Sequence, residues 1–154
     1  MPRLPGYRER IHVDVPIHVE HLEAEYQRVI TNASDASVVI VDVAASRADI
    51  TVDIGTADKP LGLRVSGPWL TGQRETTILQ ILSVANDALQ EGKEMSAMEI
   101  IAEAIKGGQR SSVLRPVVVS TRRDWRCTIR LNEGAPPGPV DVWVRTLETR
   151  DISV

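Results

Sequence analysis

The sequence predicts an α+β domain in which a mostly antiparallel sheet of about five to seven strands carries three helices, packed mainly on one face. Three observations carry that expectation. Apolar residues alternate with period two near both ends of the chain, and they recur at three-four spacing through the middle. The 154 residues, 42% of them hydrophobic, are also the size of a single domain over 1–154. A domain of that length buries roughly 68 to 70% of its unfolded surface.

In "RIHVDVPI", Ile11, Val13, Val15 and Ile17 share one side while His12 and Asp14 share the other, the mark of a half-buried strand. From Pro16 the spacing passes to Val19, Leu22, Tyr26, Val29, Ile30 and Ala33. That rhythm predicts a first amphipathic helix, with Glu20, Glu23 and Glu25 in early turns where the helix dipole favours acids. "SVVIVDVAA" is nearly continuous β-branched sequence and predicts a central strand covered on both faces. "ADITVDIG" alternates again, with Ile50, Val52 and Ile54 inward, and the short connection predicts a hairpin between these two. "LGLRVSG" adds a strand that the turn-rich "GPWLTG" ends.

"ETTILQILSVANDALQEG" places Ile78, Ile81, Leu82, Ala85 and Leu89 on one stripe and stops at Gly92, a helix with a glycine C-cap. Ser96 and Glu99 fit a capping box, with Met95 and Ile100 as its hydrophobic staple, so a third helix should run to Gly107 and Gly108. "PVVVS", "DWRCTIRL" and "PVDVWVRTL" read as strands, and "GAPPGP" as a stiff hairpin loop. "DWRCTIRL" puts Trp125, Cys127, Ile129 and Leu131 on one face and Arg126, Thr128 and Arg130 on the other.

Composition narrows the function classes. With no Phe, two Tyr and three Trp, the core falls to aliphatic residues, and stacking platforms for single-stranded nucleic acid are not expected. The lone Cys127 has no internal disulfide partner and lies on an apolar strand face, where it reads as a small core residue. No apolar run reaches the ~20 residues of a membrane span, and "MPRLPGYRER" is too polar for a signal peptide. The expected address is cytoplasmic, with no membrane partner.

No nucleophile-elbow, zinc-helix, phosphate-loop or dinucleotide motif is present. His18 and His21 stand three apart and could share a face with Asp14 or Glu25, but zinc wants three or four converging ligands, so neither metal nor cofactor is expected. Asp42 lies inside an apolar strand, where a carboxylate is costly unless paired, and it should face an arginine or a hydroxyl. The catalytic alternative is a small hydrolase or isomerase in which Asp42 works with His12 or His18 as a general base. A helix-turn-helix reading of the middle is disfavoured, because "SAMEIIAEAIK" would turn Glu99 and Glu103 toward phosphate.

Arginine is the strongest functional signal. Residues 110–131 hold six arginines, no lysine and one acid, Asp124, in a chain of net charge −3. Residues 1–108 carry 10 basic and 16 acidic side chains and residues 109–154 carry 8 and 5, giving −6 and +3. One explanation is structural: Arg126 and Arg130 meet Asp14, Asp49 and Asp53 inside one sheet. The other is a docking face, since the planar fork of arginine holds carboxylate or phosphate in two bonds at once.

The expected function is therefore a non-enzymatic association module, a subunit or adaptor working through Arg122, Arg123, Arg126, Arg130, Trp143 and Trp69. Trp143 shares a strand side with Asp141 and Arg145, and Trp69 sits in a turn, so both are candidate anchors. The expected partner is another protein or a second copy. Nucleic acid bound by the Arg110 to Arg130 cluster is the remaining alternative, weakened by a pI near 5.6.

Overall fold

A computed structural model describes residues 12–60, 62–71, 75–96, 99–103 and 117–149. Eight strands carry it: β1 (His12–Leu22), β2 (Glu25–Thr31), β3 (Val38–Ala45), β4 (Ile50–Gly55), β5 (Leu63–Ser66), β6 (Val117–Val119), β7 (Asp124–Leu131) and β8 (Gly138–Glu148). They form two four-stranded antiparallel sheets, in the orders β1-β8-β3-β6 and β2-β7-β4-β5. The α+β class holds, but the single sheet of five to seven strands does not: there are two sheets, joined by one apolar layer.

That layer follows from alternation. Ile17, Val19, Ile40, Val43, Val142 and Val144 from the first sheet meet Val52, Ile54, Val65, Trp125, Cys127 and Ile129 from the second in one buried cluster. β3 is covered on both faces, as its sequence predicts: Val39 and Val41 lie outside that cluster and are nevertheless buried.

The predicted first helix is a correction. Its residues form the end of β1 and all of β2, separated by a bend at Glu23 and Ala24. A register shift between Val19 and Leu22 brings two inward residues three positions apart. Tyr26 and Ile30 then face inward four positions apart, because the residue between them on that face is the exposed Arg28, opposite Cys127. A bulge and one inward-side charge thus reproduce helical spacing on a strand. The charge also has a use, since an inward-pointing arginine discourages edge-to-edge pairing of β2.

The two predicted hairpins are likewise crossovers. β3 and β4 lie in different sheets, as do β7 and β8, so residues 46–49 and "GAPPGP" each carry the chain from sheet to sheet. Arg47 ties these two connections together. Its Nε and Nη2 hold Asp49 at 2.5 and 2.7 Å, and Nη2 also reaches the Pro136 carbonyl at 2.7 Å. The Arg47 guanidinium holds the Asp49 carboxyl below the usual carboxylate range. That contribution to stability is present above the ordinary carboxylate pKa and is lost as pH falls through the lowered one.

The helical middle is as predicted where it is described. Helix α1 spans Glu75–Gln90, and Gly92 follows it at φ +71°. The Gly92 N–H bonds the Leu89 carbonyl and the Lys93 N–H bonds that of Ala88, a Schellman ending. Helix α2 covers residues 99–103, and the Glu99 N–H donates to Ser96 Oγ at 3.2 Å, the capping bond the sequence implies. Ala85, Ala88, Ile100 and Ile101 are buried. The predicted stop at Gly107 and Gly108 lies outside the described residues. No helix among the described residues is long and apolar enough to cross a membrane.

Cys127 is fully buried in the layer between the sheets, and burial, reinforced by the Asp53 charge, pushes its thiol up to about 12. We expect the folded protein to resist thiol reagents at mildly alkaline pH and to react at one equivalent only when denaturant opens the sandwich. Rapid labelling without denaturant would contradict the packing described.

Candidate functional site: an arginine-lined cleft

The arginines divide into two populations. Arg47, Arg64, Arg130 and Arg145 are bound to acids, and Asp53, 4% exposed, takes both Arg64 Nε at 2.6 Å and Arg130 Nη2. The structural explanation is therefore correct for Arg130 with Asp53, whose register partners on β4 and β7 bring them onto the same outer face. It is incorrect for the other acids: Asp14 is held by Arg145 at 3.0 Å and Asp49 by Arg47, each away from Arg126. Arg122, Arg123 and Arg126 are exposed and make no ion pair among the described residues.

Those three arginines converge on one cleft of about 620 Å³. One wall is the turn that follows β4. There Gly55 approaches Pro60 so closely that a Cβ would stand 2.0 Å from the Pro60 carbonyl oxygen, and Thr56 N–H closes the turn on the Lys59 carbonyl at 2.9 Å. The opposite wall is the end of β6 with the turn into β7. Val29 on the edge strand β2 and Val118 on the edge strand β6 face the cleft 57% and 44% exposed. Asp58 and Asp124 also line it, and Asp124 accepts the Thr31 hydroxyl at 2.6 Å.

Asn32 builds the arginine wall. It is buried, its backbone N–H bonds the Arg123 carbonyl at 2.9 Å, and its carbonyl receives the Arg122 N–H at 2.8 Å. Its amide nitrogen reaches the carbonyls of Ala36, Val119 and Ser120, while its amide oxygen takes the Ser34 N–H. The turn so clamped holds Arg122 at φ +62°, a left-handed conformation that costs a non-glycine residue about 1 to 2 kcal/mol. The sequence marks neither the clamp nor the turn; "TNASDAS" carries only a generic turn signal.

Trp143 lies elsewhere. It is on the outer face of the first sheet, between Pro16 and Ala44 in register, 38% exposed, whereas Arg126 and Arg130 are on the outer face of the second. It borders a separate, open depression of about 450 Å³ with Asp14, Ser46, Leu70, Thr71 and Arg145. Trp143 thus lies apart from Arg126 and Arg130. Trp69 belongs to the 3-10 turn Gly67–Leu70, and its side chain, like Arg110 and Arg115, lies outside the described residues.

Asp42 stands opposite Arg145 in the β3–β8 register, and its Oδ1 accepts the Val43 N–H at 2.8 Å. His18 Nδ1 is 2.5 Å from Asp141 Oδ1, and His21 lies 3.6 Å from Glu23. Neither depression is lined by Asp42 or by a histidine. Among the described residues no three His, Cys, Asp or Glu side chains converge as a metal site. Comparison with known protein families, curated proteins and solved structures finds no match for this chain.

Two expectations follow from this geometry. Arg130→Ala leaves Asp53 buried with Arg64 alone and should lower stability by about 1 to 3 kcal/mol, while Arg126→Ala should stay within about 0.5 kcal/mol of wild type in urea denaturation. Equal costs would mean that the two arginines are not divided between structure and surface. Asn32→Asp keeps the acceptor for Ser34 but loses the donors to three carbonyls; it should speed amide exchange at Arg122 and Arg123, in the turn before β7, more than within β7 itself. Unchanged exchange there would remove Asn32 from its role as clamp.

Proposed function

We propose that the protein is an association module, and that its docking site is the cleft of Arg122, Arg123 and Arg126, which receives an acidic segment of a protein partner. A single observation supports this reading: three arginines without acids of their own converge on one cleft that is rimmed by two exposed valines. Guanidinium groups already spent on internal acids have little to offer a ligand. Among the described residues no acid pairs with these three, and each presents the planar fork that suits carboxylates.

The valines argue for a peptide rather than a phosphodiester chain. An apolar rim beside a charged centre fits side chains of alternating character, and the carboxylates of Asp58 and Asp124 would repel a continuous row of phosphates. Among the described residues Trp125 is the one aromatic at the cleft, and at 3% exposed it cannot offer its face to a base. Chain-wide charge agrees, since a net −3 leaves nucleic acid without long-range attraction.

The reading is tested with a fluorescent peptide of alternating Glu and Val, with a Gln-for-Glu peptide and single-stranded oligonucleotide as the other two probes. Anisotropy should report binding of the Glu peptide alone, weakened as ionic strength rises, and lost in the Arg122→Glu, Arg123→Glu, Arg126→Glu variant at unchanged melting temperature. Tighter binding of the oligonucleotide, or equal binding by wild type and variant, would overturn it.

A further inference from the structure

Resting on that docking site, we infer that its acidic partner is a second copy of this chain, which presents the turn between α1 and α2. Residues 91–103 hold four acids, Glu91, Glu94, Glu99 and Glu103, against one lysine, Lys93, and all four acids are exposed. Lys93 is engaged by Glu91 at 2.8 Å. Glu94, Glu99 and Glu103 are exposed and make no ion pair among the described residues, as is true of the three arginines of the cleft. Met95, half-buried in the same turn, supplies a pliable apolar group of the kind a valine-rimmed cleft takes.

Both surfaces are braced by hydrogen bonds within the chain. The acidic turn is fixed at one end by the Schellman bonds of Gly92 and Lys93 and at the other by the Ser96 cap, whose hydroxyl also bonds Glu99 Oε1 at 3.1 Å. The cleft is fixed by Asn32 and by the Gly55 to Pro60 approach. Little ordering is then required on association, which is the condition for a small charged contact to hold. The uneven charge of the chain acquires a purpose: the acidic portion before residue 109 carries the ligand and the basic portion after it carries the receptor. A contact between two different patches of identical chains is heterologous, and it builds rings or filaments unless it is made twice across a dyad.

Charge exchange tests the inference. One variant carries Arg122→Glu, Arg123→Glu and Arg126→Glu; a second carries Glu94→Arg, Glu99→Arg and Glu103→Arg. In sedimentation velocity at low salt, wild type should assemble as its concentration rises, each variant alone should remain monomeric, and the two mixed should assemble again. A third variant, with Glu20→Arg, Glu23→Arg and Glu133→Arg, has the same charge gain at other exposed acids, keeps both surfaces, and should assemble alone as wild type does. A monomeric wild type, assembly of either of the first two variants alone, no assembly when those two are mixed, or a third variant that stays monomeric would each overturn the inference. A monomeric wild type that still binds the Glu peptide leaves the docking site standing with a different partner, so the two failures are distinguishable.

Discussion

The layer between the two sheets is the constraint on which everything else depends. This chain has no Phe, and its only cysteine is a buried thiol, so the interior must be filled by aliphatic side chains delivered at alternate positions of eight strands. Each sheet by itself would leave its inner face in water, and at ~25 cal/mol per Å² of apolar surface neither would persist alone. Packing the two faces together fixes where the strands end and therefore where the turns at each end of the sandwich must lie. The arginine cleft is formed at one such end, where β4 leaves through Gly55, β6 ends at Val119 and β7 begins at Asp124.

The polar outer faces obey a different rule, in which the degree of burial decides what each arginine does. Asp53 is almost wholly buried, and a carboxylate so placed needs two cationic donors; Arg64 and Arg130 flank it from the neighbouring strands β5 and β7. Arg145 and Asp14 repeat the arrangement on the other sheet. Arg126 lies on the same strand face as Arg130 but opposite Gly55, which has no side chain to meet it. Two arginines four positions apart on β7 thus differ: Arg130 holds Asp53, and Arg126 makes no ion pair among the described residues.

Much of this was legible in the sequence, and the failures share a cause. Period-two alternation located the start of β1, β4 and β7, a continuous β-branched run located β3, and the capping residues Gly92 and Ser96 located the ends of the helical turn, because these signals are local. Which sheet a strand joins is not local. The connections between β3 and β4 and between β7 and β8 have hairpin-like lengths, and only the shared layer makes them crossovers, a fact no short segment contains. The stretch from Val19 to Ile30 failed for a subtler reason: a bulge and an inward arginine turned strand alternation into three-four spacing. At the site, the arginine cluster was visible as composition, but its division into paired and free members depends on partners far away in sequence. Trp143 was separated from the arginines by the same two-sheet architecture.

Arg122 bears on the proposed docking role of the cleft arginines through its backbone. A turn that needs a positive φ is ordinarily built with glycine, and the chain uses glycine for that purpose at Gly67, Gly92 and Gly134. At residue 122 it places an arginine instead, and a buried asparagine holds the strained backbone with bonds on both sides of it. Random drift toward a stable turn would favour the opposite choice, since glycine there relieves about 1 to 2 kcal/mol of strain. The residue is better explained by where it puts a guanidinium than by what it does for the fold. Strain kept in place by a buried clamp, beside two further arginines that make no ion pair among the described residues and two exposed valines, is what favours the proposed docking site.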